Sequence, residues 1–103
     1  MNTDTAEAPG RNRLVLTAEV VGRGALRYTP AGLPVFDLSL KHESTLAQEG
    51  QPRWVNVEIK ARAVGEITQR IGRLELGKRH AFAGFLGSQR NGRGIVFHVT
   101  ELD

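Results

Sequence analysis

Between Arg53 and Ala61 the chain alternates without a break. Val55, Val57, Ile59 and Ala61 take every second place, and Trp54, Asn56, Glu58 and Lys60 stand between them. A period of two is the signature of a strand with one apolar face, and no helix gathers those positions on one side. The chain must therefore build a sheet, with Val55, Val57, Ile59 and Ala61 expected on its core side. Trp54 is the odd member, because it falls on the polar face.

The same signal recurs on both sides of this segment. Arg13 to Val21 is apolar and β-branched on both faces, which reads as a strand bent near its middle. Gly22 and Gly24 flank Arg23 and mark a kink or bulge, and Ala25 to Tyr28 can resume as a short extended piece. Thr29 to Pro34, with Pro30 and Gly32, carries turn chemistry. Val35 to Leu40 alternates again, with Phe36, Leu38 and Leu40 on the apolar side. His42 to Pro52 is polar and holds Gly50 and Pro52, so it is expected to be a loop longer than a hairpin turn. Val64, Ile67 and Ile71 lie at helical spacing and predict one helix of about ten residues at most. Lys78 to Gly87 and Ile95 to Leu102 read as two further strands, joined by a Gln89–Gly94 hairpin tip whose Asn91-Gly92 is the strongest local turn signal.

Three strands, a short helix and two more strands fit an all-β, five-stranded Greek-key OB-fold barrel, with the helix between strands three and four. An SH3-like barrel is the competing five-stranded reading. Residues 1–12 are nearly devoid of large apolar side chains and read as a disordered N-terminal tail, leaving 13–103 as the OB-fold domain. At 103 residues and 40% hydrophobic, the chain suffices for one modest core. It has no cysteine, which removes disulfides, cysteine-ligated zinc, iron–sulfur clusters and thiol catalysis. No long apolar run or signal-like N-terminus stands out, so a cytoplasmic location is expected.

The inventory argues against an enzyme. His42, His80 and His98 lack the spacing of a metal pair, the carboxylates are scattered, and no phosphate-loop, dinucleotide or nucleophile-elbow motif is present. No cofactor and no metal are expected. Charge points instead to a polyanionic partner. Residues 11–100 hold all fourteen Lys and Arg against seven acids, a net of +7, and eleven of the fourteen bases are arginine. Arginine's planar fork grips phosphate and stacks on bases. An OB barrel takes single strands across its second and third strands and the loops bordering them. That places Arg27, Tyr28, Lys41, Arg53, Trp54, Lys60, Arg90 and Arg93 as candidate nucleic-acid contacts. Trp54 itself is either a platform for stacking bases or an edge packed under the 42–52 loop. A partly open barrel also leaves strand edges that a twofold partner could cover. Leu14 and Leu16 of the first strand, helped by Phe82 and Phe97, are the candidate homodimer interface.

Several short pieces, in order, carry a resemblance. They are Asn12-Arg13-Leu14-Val15-Leu16, Leu26-Arg27 with Pro30-Ala31-Gly32-Leu33-Pro34, His42-Glu43-Ser44, the isolated Trp54, Gly84-Phe85, and Asn91-Gly92 followed by Phe97-His98. Across residues 12–102 the chain resembles the primosomal replication protein N (PriB) family, relatives of single-stranded DNA-binding proteins. The resemblance implies a non-enzymatic OB-fold homodimer that binds single-stranded DNA, supports the restart helicase PriA and helps bring in other primosome proteins. It implies that Trp54 is the stacking tryptophan and that Arg90 and Arg93 are the basic loop. Tyr28 and Glu43 stand where family positions can be basic, which implies weakened DNA binding. A plain single-stranded DNA-binding protein, an RNA-binding barrel and a protein adaptor with weak DNA binding are the alternative functions.

Overall fold

The computed structural model describes residues 10–103. Most of the expected tail, residues 1–9, lies outside the described residues. Its last member, Asn12, exchanges two hydrogen bonds with the backbone of Leu86, at 2.7 and 2.8 Å.

The elements in chain order are β1 (Leu14–Arg23), β2 (Arg27–Tyr28), β3 (Pro34–Gln48), β4 (Gln51–Val64), α1 (Ile67–Ile71), β5 (Arg79–Ser88) and β6 (Ile95–Leu102). The sheet runs β1-β5-β6-β4-β3-β2 and closes on itself through β1 and β3. All pairings are antiparallel except β4 with β6. With the two-residue β2 set aside, this is the expected five-stranded barrel, closed by β1 and β3 where the sequence reading had it partly open, and the helix follows the third long strand. β1 closes the barrel by changing partner. Its first half, Leu14–Glu19, pairs with β5, and its second half pairs with β3, with an irregularity between Val20 and Gly22. The bend anticipated from two apolar faces is that exchange.

Inside the barrel lie Ala18, Val20, Leu38, Leu40, Ala61, Ala63, Phe82, Phe97, Val99 and Leu102, with Ile71 of α1 packed among them. Burying each of the large ones favours folding by roughly 1.5–3 kcal/mol. The helix is five residues long, since Val64 still belongs to β4 and Gly65 turns the chain at φ 90°. Two arginines hold it in place. Arg23 donates to the carbonyls of Ile71 and Leu74, and Arg70 donates to those of Leu102 and Asp103. Phe82 and Phe97 are fully buried within this one chain. Their side chains are thus unavailable to a partner, which corrects the expected interface. Leu14 and Leu16 remain half-buried on β1.

The second correction concerns His42 to Pro52. It is not a loop. The β3–β4 ladder continues in register from Val35 opposite Val64 out to Gln48 opposite Gln51. Glu49 and Gly50 alone make the turn, at φ 53° and 74°, the positive pair that a tight hairpin of this hand requires. β1 leaves β3 at Lys41, and β6 touches β4 only at Ala61–Ala63, so the outer part of the hairpin is a two-stranded arm. This arm also moves the expected core side outward. Leu46 is 57% exposed and Val57 42%, and full burial on β4 begins only at Ala61.

Candidate nucleic-acid interface

Period-two geometry sorts the side chains of β3 and β4 into two faces. Leu38, Leu40, Ala61 and Ala63 point into the barrel, so their neighbours form an outer stripe. Along it, cross-strand pairs succeed one another: Asp37 with Arg62, Ser39 with Lys60, Lys41 with Glu58, Glu43 with Asn56, and Thr45 with Trp54. The stripe runs from the barrel wall out along the arm, where Trp54 stands 64% exposed. At that exposure the indole is not an edge packed under the 42–52 segment, which corrects that one of the two sequence readings. Beside it, Leu46, Ala47, Gln48, Arg53, Val55 and Asn56 complete a recess of about 450 Å³.

Not every candidate shares this face. Arg53 pairs with Leu46 on the reverse of the arm, where its Nη1 donates to Gln48 Oε1 at 2.9 Å, although it borders the same recess. Tyr28 is exposed on β2, but it follows Arg27 by one residue and points to the other side. Lys41 and Lys60 lie on the stripe. The Gln89–Gly94 tip, carrying Arg90 and Arg93, flanks it, because Gln89 borders a recess with Lys60, Arg62 and Asp37. The tip is a true turn, with Gly92 and Gly94 at positive φ and the Gln89 N–H donating to the Gly94 carbonyl.

Charge on the stripe is largely self-neutralised. Arg27 donates through Nε and Nη2 to Asp37 Oδ2 at 3.0 and 2.8 Å, and Arg62 Nε donates to Oδ1 at 2.9 Å. Partial burial alone would raise the Asp37 pKa, but hydrogen bonds from Arg62 and Arg27, with their charges, hold it below the usual carboxylate value. Lys41 pairs with Glu43 at 3.4 Å, and these two border a small recess with Glu19 and Arg79. Lys60, in contrast, donates to the Ser39 hydroxyl, at 3.3 Å. Among the described residues Arg53, Lys60, Arg90 and Arg93 form no ion pair. Sequence reasoning missed Arg62 and Asp37. The alternation Trp54, Asn56, Glu58, Lys60 already pointed to Arg62 as its next member.

His42 sits where the β1–β3 ladder ends. Its Nδ1–H donates to the Thr17 carbonyl at 2.6 Å, and Nε2 meets the Ser44 hydroxyl at 2.8 Å. No group of three His, Cys, Asp or Glu among the described residues is placed to hold a metal.

Comparison with known proteins identifies the family and the fold. Residues 12–101 match a family described as another single-strand binding protein family. Replication restart protein PriB of Bordetella pertussis is 42% identical over 79 residues, which cover 77% of this chain and 74% of that one. The structure of PriB from Ralstonia solanacearum superposes with a TM-score of 0.85 at 31% identity, covering 91% of this chain and 97% of the other. The single-stranded DNA binding protein of Thermus aquaticus superposes with a TM-score of 0.71 at 27% identity, over 91% of this chain and 50% of that protein.

Proposed function

Because the chain belongs to the single-strand binding protein family, in its replication restart protein PriB group, we propose that it is a single-stranded DNA-binding accessory protein of replication restart. It binds strands without sequence preference, in the cytoplasm, and catalyses no reaction. One observation supports the reading: an exposed Trp54 on a projecting arm, continuous with a stripe that leads past Lys60, without an ion pair among the described residues, to the arginine-bearing tip. Unstacked bases need a flat apolar surface, and phosphates need cations spaced along the same path. Duplex DNA would offer the phosphates but not the bases.

The protein acts as a homodimer in this proposal. Among the described residues the Leu14–Ala18 half of β1 has a ladder partner only in β5, and Val15 is exposed beside it, which suits pairing with a second copy. The restart helicase PriA and other primosome proteins are the proposed partners. A second reading, an adaptor that works mainly through protein contacts, is favoured by the ion pairs that spend Arg27, Lys41 and Arg62 on neighbouring acids.

Titration of oligonucleotides against salt tests both. If about four phosphates are neutralised, log affinity falls with log salt at a slope of roughly −3. Single-stranded DNA should bind more tightly than duplex of equal length. Preference for duplex, or an affinity indifferent to salt, rejects the proposal. Tighter binding of single-stranded RNA than of DNA would move the protein to the RNA-binding alternative.

A further inference from the structure

Asp37 occupies the place of a ligand. Both of its oxygens are engaged, Oδ2 by the Nε and Nη2 of Arg27 and Oδ1 by the Nε of Arg62. Two guanidinium groups converging on one anion is the arrangement that recognises a phosphate. Here the anion comes from the middle of β3. The clasp is on the solvent side of the barrel, with Asp37 about half exposed, so an incoming strand can reach it. It also adjoins Lys60, since Asp37, Arg62 and Lys60 border one recess and Asp37, Ser39 and Lys60 another.

We propose that Asp37 is an internal substitute for a DNA phosphate: it occupies Arg27 and Arg62, keeps them out of the strand path, and limits how tightly the protein holds single-stranded DNA. This rests on the single-stranded DNA-binding reading above. A phosphate arriving at the clasp must displace a carboxylate already tied by three hydrogen bonds and held close by the backbone of its own chain. The strand's phosphates are therefore left to Lys60 and the tip.

Asp37→Asn tests it, because the amide keeps the shape of the carboxylate and one acceptor but loses the charge. The variant should bind a thymidine oligonucleotide roughly tenfold more tightly at low salt. Two phosphates gained, at about 0.7 each, should steepen the log–log salt slope by about 1.4. Adding Arg27→Ala to Asp37→Asn should remove part of the gain. A folded Asp37→Asn protein with unchanged or weaker affinity overturns the proposal. If Asp37→Asn does not fold, nuclear magnetic resonance of the unsubstituted protein decides. The Arg27 and Arg62 Nε–H signals should keep their positions at saturating oligonucleotide, and their displacement overturns the proposal. The two readings fail separately. An unsubstituted protein that binds no oligonucleotide while Asp37→Asn does would reject the function and support the role of Asp37. Binding by the unsubstituted protein with no gain in the variant would reject only Asp37.

Discussion

Gly84 lies directly against the backbone of His98, so that a Cβ on residue 84 would collide with the His98 carbonyl. The contact sits where the β5–β6 register shifts between Ala83 and Gly84, and it lets the two strands coil tightly enough to close the barrel. One residue on, Phe85 stacks on the His98 ring, with centroids 4.8 Å apart and planes 17° apart.

Gly84→Ala should therefore be costly, although it adds only a methyl group. The neighbour it meets is backbone and cannot swing away. A loss of roughly 1–3 kcal/mol or more is expected, measured by urea denaturation. Gly10→Ala, where nothing lies nearby, should be neutral in the same assay.

Trp54→Ala should separate binding from stability. The indole is largely in solvent, so the thermal midpoint should hardly move. Binding of oligonucleotide should weaken by roughly 1–3 kcal/mol, the usual worth of a stacked base. Trp54→Phe should recover much of it. A large drop in midpoint with unchanged affinity would show that the ring serves packing.

The arm should open independently of the barrel. Beyond Lys41 its two strands have no ladder partner but each other among the described residues, and an isolated hairpin is marginally stable. Glu49 holds a positive φ that costs a non-glycine residue roughly 1–2 kcal/mol, and asparagine tolerates it better. Glu49→Asn should slow hydrogen exchange at the arm amides from Thr45 to Val55. Exchange at Phe82 and Phe97 should stay as before.

Two carboxylates give the acid side of the stability profile. Asp37 is held low by Arg62 and Arg27 against the opposing effect of burial, and Glu101 is held low by its hydrogen bonds and charge pairing with Arg13. A carboxylate whose pKa is lower folded than unfolded contributes stability above its unfolded value, near pH 4, and loses it as pH falls through the folded value. Both pairs are solvent-exposed, so the contribution is small. Thermal midpoints of the unsubstituted protein and Asp37→Asn should differ most near neutrality and converge as pH falls through the lowered folded value of Asp37.

Sedimentation equilibrium at micromolar concentration should give about twice the 11.3 kDa of one chain. Val15→Lys, on the exposed face of β1, should shift the mass toward one chain without unfolding it. A monomeric unsubstituted protein would remove the second copy from the proposed function.

Local pattern alone determined most of the architecture. Alternation at Val35–Leu40 and Arg53–Ala61, glycine-marked bends and an Asn-Gly tip encode strands and turns because each depends on neighbours two to five residues away. The hairpin from His42 to Pro52 escaped that logic. Both faces of the arm meet solvent, so no apolar period develops, and Pro52 sits where a strand with no further neighbour tolerates it. Phe82 and Phe97 were recognisable as apolar, but whether an apolar side chain faces its own core or a partner depends on which strands close the barrel. Asp37 shows the same limit for function. It reaches Arg27 across ten residues and Arg62 across twenty-five, and only the register of β2, β3 and β4 brings the three together. Cations counted along a sequence are all available; once folded, charges meet acids from distant segments, and tertiary structure decides which remain free for a phosphate.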